Sequence, residues 1–231
     1  MSIPNSPESL SSRANPEPRR WAVLAASAVA VAALLVYHRT LDYPFVYDDD
    51  SFVVLNRAIR SLRPLGRFFT DPDAQADNPQ LARDVYRPLT TISYAVNYRL
   101  FGADPFSYHA FNVLLHALNS VLVFVLLFSL MSRLSARAPP QPSGQTLPAF
   151  AGALLFALHP VQTEAVAWVS QRSILMSQAF FLAAVLGYLR LRRTGKLSDF
   201  LWALGAFVLS LLSKESAAVY VALIPLIELA L

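Results

Sequence analysis

Residues 21–37 read "WAVLAASAVAVAALLVY" and carry no charge. A helix that crosses a bilayer needs roughly 17–25 predominantly apolar residues, so this run meets the lower limit. The competing reading is a secretory signal, with "AVA" at 28–30 or 30–32 as the cleavage site. The run exceeds the roughly 7–15 residues of a signal core, which favours a spanning helix. Just beyond it lies "YPFVYDDD", residues 43–50, where three carboxylates stand side by side. Adjacent like charges repel, so Asp48, Asp49 and Asp50 cost free energy unless the protein uses them.

The rest of the chain repeats the apolar theme. Of 231 residues, 55% are hydrophobic and only 15% are charged. Soluble domains average about 25% charged residues, which places this chain among integral membrane proteins. Further apolar runs cover 110–131, 149–158, 173–189, 200–212 and 217–231. The expected fold is therefore all-α, a polytopic membrane protein of about six transmembrane helices. Cysteine is absent, which excludes disulfide and thiolate chemistry.

Residues 1–18 are rich in Ser, Pro and Asn without apolar periodicity and read as a disordered tail. Residues 19–231 form the membrane domain, and 38–107 its long first loop. Within that loop "SFVVLNRAIRSL" and "PLTTISYAVNYRLFG" read as amphipathic helices on a membrane surface, separated by the turn "DPDAQADNP". "VQTEAVAWVSQR", from 161 to 172, reads as an interfacial helix begun by Pro160, with Trp168 near headgroup depth.

Basic residues set the expected orientation. Arg19/Arg20, Arg133/Arg137 and Arg190/Arg192/Arg193/Lys196 fall on alternate connections. The positive-inside rule makes that side cytoplasmic, N-terminus included. The 38–107 loop also holds many arginines, but loops beyond about 60 residues follow the rule poorly. The loop, the 160–172 segment and "SKES" then share the extracytoplasmic side. Polar groups from several places meet there. Asn112, His116 and Asn119 share one helix face by their spacing. His159 and Glu164 follow the third run, Arg172 precedes the fourth, and Lys214 and Glu215 follow the fifth. Arg87 lies in "YRPLT".

Each piece also has a plain structural reading: a solvated acidic cap, interhelical hydrogen bonds, a snorkelling pair, an interfacial anchor. Asp48 and Asp50 match a D-x-D metal pattern, but any run of three aspartates does so, and a divalent metal is left open. No zinc-helix spacing, nucleotide loop or nucleophile elbow is present, which weighs against nucleotide-driven and hydrolytic chemistry. A transporter would place charges at mid-bilayer, whereas these cluster at one end.

In order along the chain come "FVYDDD", "YRPLT", "NYRLFG", "YHAFNVLLHALN", "LLFALHPVQTEAVAWVSQR" and "LLSKES". Together they resemble the membrane domain of the transmembrane-and-tetratricopeptide-repeat O-mannosyltransferases and their bacterial relatives, which are similar to GT-C glycosyltransferases. The resemblance covers about residues 19–231. It implies transfer of a sugar from a polyprenyl- or dolichyl-phosphate carrier to a protein Ser or Thr hydroxyl on the extracytoplasmic face. Its implied partners are that carrier, an acceptor protein and membrane lipid, with no nucleic acid and no certain cofactor. The implied home is the bacterial inner membrane, or the endoplasmic reticulum membrane in a eukaryote.

On this resemblance Asp48, Asp49 and Asp50 are the catalytic candidates. Arg87, Arg172 and Lys214 are the cations available to the leaving phosphate. Asn112, His116, Asn119, His159, Glu164 and Glu215 line the cavity, and Phe45 and Tyr47 orient the loop against lipid and sugar. No tetratricopeptide pattern is present and the sequence stops inside an apolar run. The expectation is an N-terminal portion of such an enzyme, with a non-catalytic scaffold or remnant as the alternative.

Overall fold

A computed structural model describes residues 17–135 and 145–230, and every regular element among them is helical. The expected disordered tail lies outside the described residues, except Glu17 and Pro18, which open the first helix, α1 (Glu17–Tyr37). The first loop carries three helices: α2 (Arg67–Thr70), α3 (Pro79–Asp84) and α4 (Pro88–Phe101). There follow α5 (Pro105–Ser135), α6 (Thr146–Leu158), α7 (Gln162–Ala167), α8 (Arg172–Thr194), α9 (Leu197–Ser213) and α10 (Leu223–Ala230). Proline opens α3, α4 and α5, where its missing N–H has no intrahelical partner to lose. Gly195 closes α8 in the left-handed conformation, φ 63°, its N–H donating to Leu191 O at 2.8 Å.

Three segments are long and apolar enough to cross a membrane: Arg20–Asp42, Pro105–Arg133 and Val169–Thr194. The chain is an all-α membrane protein. α6 and α9 are apolar but have only 13 and 17 residues, rising about 20 and 26 Å. The last expected span is not one helix: Glu215–Ala222 forms a 3-10 stretch before the eight residues of α10. Trp21, Leu35, Leu147, Leu155 and Trp202 lie exposed on the helices. So much apolar surface would drive association in water; in a bilayer it is the lipid-facing side.

Small residues let the helices approach. Ala149, Ala153 and Ala157 form a fully buried stripe on α6, packed with Val29 and Ala33 of α1 and Phe124 of α5. α8 and α9 meet at Gly187, where an added Cβ would lie 2.6 Å from Trp202 Cδ1 and 3.3 Å from the Ala203 backbone. Two buried serines cross-link the same pair, Ser210 Oγ donating to Ser177 O at 2.7 Å. Gly187→Leu is therefore expected to pry α8 from α9 and cost about 1–3 kcal/mol. A lowered unfolding midpoint in detergent checks this; an unchanged midpoint would show that the contact is slack.

The long first loop is a packed unit. Phe52, Val53, Ile59, Phe68 and Ala74 form a core beneath Tyr94 and Ala95 of α4. "SFVVLNRAIRSL" does not form the amphipathic helix its spacing predicts. It breaks at Asn56, whose Nδ2 donates to the carbonyls of Ala74 and Gln75 at 3.3 Å and whose Oδ1 accepts from Ala58 N at 2.8 Å. A buried amide bonded to backbone on both sides competes with helix continuation. The second expected amphipathic helix is α4 itself.

Candidate functional site

The acid-bearing segment leaves α1 through a 3-10 turn, His38–Asp42, and crosses the start of α5. Two aromatic contacts seat it: Tyr43 against His109, ring centroids 6.3 Å apart, and Phe45 against Tyr108 at 5.4 Å. It then folds into a tight turn. Asp49 N donates to Val46 O at 3.1 Å, and Val46 N donates back to Asp49 Oδ2 at 3.0 Å. Between them Tyr47 has φ 52°, the left-handed region that a bulky side chain rarely enters.

The three aspartates separate. Asp49 is 0% exposed. Its second oxygen accepts the Ser170 N–H at 2.7 Å, tying the acid loop to a segment 121 residues away. Asp48 and Asp50 on either side are exposed. Burial pushes the Asp49 carboxyl above its ordinary range, with the neighbouring Asp48 charge adding to the rise; the amides of Val46 and Ser170 offset only part of it.

Ser170 is free to donate because the helix expected over 161–172 breaks. α7 ends at Ala167, and Trp168 takes an extended conformation, φ −99° and ψ 116°. Tertiary partners claim the freed carbonyls: Tyr94 Oη donates to Val169 O at 3.0 Å and Asn112 Nδ2 to Trp168 O at 3.3 Å. Arg172 anchors the break from below and is 0% exposed. Its Nε donates to Asn112 Oδ1 at 3.0 Å, and one terminal nitrogen donates to Asn97 Oδ1 and Tyr108 O, both at 3.1 Å. The rings of Tyr94, Tyr108 and Phe111 surround the guanidinium at 4.6–5.3 Å. A group so enclosed holds protein together; the phosphate contact expected of Arg172 has no exposed atom to make it.

The other two expected cations lie together. Arg87 makes a two-point pair with Glu215, at 2.9 and 3.1 Å. Lys214 is adjacent, and Thr90 Oγ1 fastens the start of α4 to Ser213 O at 2.9 Å. Burial and the Arg87 charge hold Lys214 below its usual range. Burial raises Glu215, but the Arg87 bond and charge outweigh it and leave the carboxyl below the usual value. Tyr94 of α4 reaches the broken segment through its bond to Val169 O, and burial pushes its phenol up, with the Arg172 charge opposing the rise.

Of the expected cavity residues, Asn112 belongs to this centre. His116 and Asn119 do not: His116 Nε2 bonds Ala157 O at 3.0 Å and Asn119 Nδ2 donates to Leu175 O at 2.9 Å, both buried between helices. The polar stripe on α5 is real, but only its Asn112 end reaches the acid loop. His159 and Glu164 are exposed around the α6–α7 corner, His159 Nδ1 accepting from Val161 N at 3.2 Å. Among the described residues no three His, Asp or Glu side chains are grouped so as to hold a metal ion. Sequence reasoning missed Tyr94, Ser170 and His109. The last is buried beneath Tyr43 with neither ring nitrogen bonded among the described residues.

Known proteins bear on this geometry. The chain is 35% identical over 212 residues to human protein O-mannosyl-transferase TMTC4, a match covering 86% of this chain and 28% of that protein. It is 34% identical over 203 residues to Drosophila melanogaster protein O-mannosyl-transferase Tmtc3, 81% of this chain and 22% of that one. Human protein O-mannosyl-transferase TMTC1 is 33% identical over 168 residues, 72% and 18%. The chain is a TMTC-like domain. No family model matches it, and no solved structure does. The TMTC-like domain thus spans about a fifth to a quarter of the length of these curated relatives.

Within the TMTC-like domain the latch between Asp49 and Ser170 is directly testable. Asp49→Asn keeps the shape but supplies one acceptor where two amides need one each. It should cost about 1–3 kcal/mol and expose the Ser170 amide to exchange. A carboxyl raised in the fold favours folding at pH below the ordinary carboxyl value and loses that margin as pH climbs through the folded value. Asp49→Asn should therefore also flatten the acid side of the stability–pH curve. Unchanged Ser170 exchange would remove the latch.

Proposed function

We propose that this domain supplies the acid-bearing centre of a glycosyltransferase, O-mannosyltransferase-like, that moves a sugar from a polyprenyl- or dolichyl-phosphate carrier to a protein Ser or Thr hydroxyl. The reaction takes place on the extracytoplasmic face, with the N-terminus in the cytoplasm. One observation carries the reading: Asp49 is sacrificed to a buried latch, and that latch holds Asp48 in the open on a strained turn. The names of the curated relatives support the class of reaction.

The chemistry runs as a displacement. The acceptor oxygen attacks C1 of the sugar and its proton passes to the Asp48 carboxylate. The C1–O bond to the carrier breaks, and its electron pair leaves on the lipid phosphate. Lys214, beside the neutral Arg87–Glu215 pair, is the cation facing that charge. Arg172 acts one layer below, holding the 168–170 break on which Asp49 hangs.

The test is transfer of radiolabelled sugar from a polyprenyl phosphate to a Ser/Thr-bearing protein by the chain in liposomes. Label in the acceptor that depends on Asp48 is the expected result. Folded, inserted chain that leaves all label on the carrier would overturn the reading and favour a scaffold.

A further inference from the structure

Tyr47 is 82% exposed, and its backbone occupies a region that is unfavourable for any residue with a large side chain. An aromatic residue serving only as an interfacial anchor needs no such conformation. Here two bonds enforce it, both between Val46 and Asp49. Strain held so deliberately at a turn marks positions where the side chain's direction matters.

The direction is toward Trp168. The two ring centroids lie 5.6 Å apart with planes at 61°. Trp168 is fixed as firmly as Tyr47: Asn112 holds its carbonyl, and Ser170 two residues on donates to Asp49. One buried carboxylate therefore sets both rings, and the exposed Asp48 follows Tyr47 directly. The corner thus offers two angled aromatic walls with a carboxylate at the rim.

That combination suits a sugar. A pyranose presents a patch of C–H bonds on one face and hydroxyls around its edge. The C–H patch packs on an aromatic face, whose negative charge attracts the slightly positive hydrogens, while the hydroxyls keep polar partners. We infer that Tyr47 and Trp168 form a stacking platform for the hexopyranose ring, which sets its C1 toward Asp48. This rests on the glycosyltransferase reading above and names the subsite that orients the sugar.

The test uses Trp168 as its own reporter. The chain has three tryptophans, and Trp21 and Trp202 are largely exposed on α1 and α9, so Trp21→Phe/Trp202→Phe leaves one indole. The probe is a ten-carbon isoprenyl phosphate bearing mannose, titrated against the full chain in detergent, with the sugar-free isoprenyl phosphate as comparison. The expected result is a saturable change in emission with the sugar-bearing probe alone. Tyr47→Ala should weaken binding roughly tenfold and Tyr47→Phe by no more than about threefold. Tyr47→Gly should lose binding to the same degree while keeping or raising the unfolding midpoint, because glycine relieves the strained turn.

An equal response to the sugar-free probe overturns the platform, as does unaltered binding in Tyr47→Ala. So does loss of binding in Tyr47→Gly that follows a fallen midpoint, since that is a structural role. If Tyr47→Ala binds and transfers normally while Asp48→Asn does not transfer, only the platform fails. If the unmodified chain neither binds the sugar probe nor transfers, both readings fail.

Discussion

Asp48→Asn is expected to reduce sugar transfer by about 10²–10⁴-fold, the usual contribution of a positioned general base, while the protein still inserts and unfolds at its normal midpoint. The amide cannot take up the acceptor's proton, and nothing structural is lost. Among the described residues the Asp48 side chain makes no hydrogen bond or ion pair, in contrast to Asp49 beside it. Asp50→Asn is the matched control, because it removes the same charge one peptide beyond the latch. If Asp48 is the base, its variant falls far below that of Asp50. If the acids act only as a diffuse negative field, the two variants decline together, and Asp48 loses its assigned role. Both measurements belong with a folding control, since Asp49 separates the two residues and any disturbance of it would mimic a catalytic loss.

Much of the fold is written locally. The prolines at 79, 88 and 105 start helices, Gly195 ends one, and uncharged runs mark α1, α5 and α8. Each signal acts within a turn or two of the chain, so spacing alone reveals it. The break at Trp168 is different. Within the stretch, "VQTEAVAWVSQR" is an acceptable helix; it opens because Asp49, Tyr94 and Asn112 compete for its backbone from 121, 75 and 56 residues away. The acidic triplet has the same character. Its presence is obvious, but which member is buried depends on a partner loop that no local pattern announces. Arg172 misleads for a related reason, since an arginine at the head of a membrane helix reads equally as an interface cation or an interior hub.

Arg172 is also where the largest loss of stability is expected. Its guanidinium satisfies Asn112 Oδ1, Asn97 Oδ1 and the Tyr108 carbonyl, all buried, from one planar group. Arg172→Met would leave the Asn112 and Asn97 oxygens without this donor in a region water does not reach, at about 1–3 kcal/mol each, and strip the second bond from the helical Tyr108 carbonyl. The expected fall is therefore on the order of 3–5 kcal/mol after partial relaxation, a large share of the roughly 5–15 kcal/mol that holds a domain folded. Arg172→Lys should recover little, because one ammonium on a flexible stem cannot match the fork that reaches three acceptors at once. Denaturant unfolding in detergent reads both, and a midpoint close to the parent's in Arg172→Met would refute the hub. The loss should also travel. Asn112 holds the Trp168 carbonyl, and Ser170 in the same break holds Asp49, so a slack hub loosens the acid loop. Combined with Asp49→Asn, Arg172→Lys should therefore cost less than the sum of the two single changes, the sign of shared structure. Strict additivity would mean that the buried cation and the acid latch are independent, and that the site is held by something other than the break between α7 and α8.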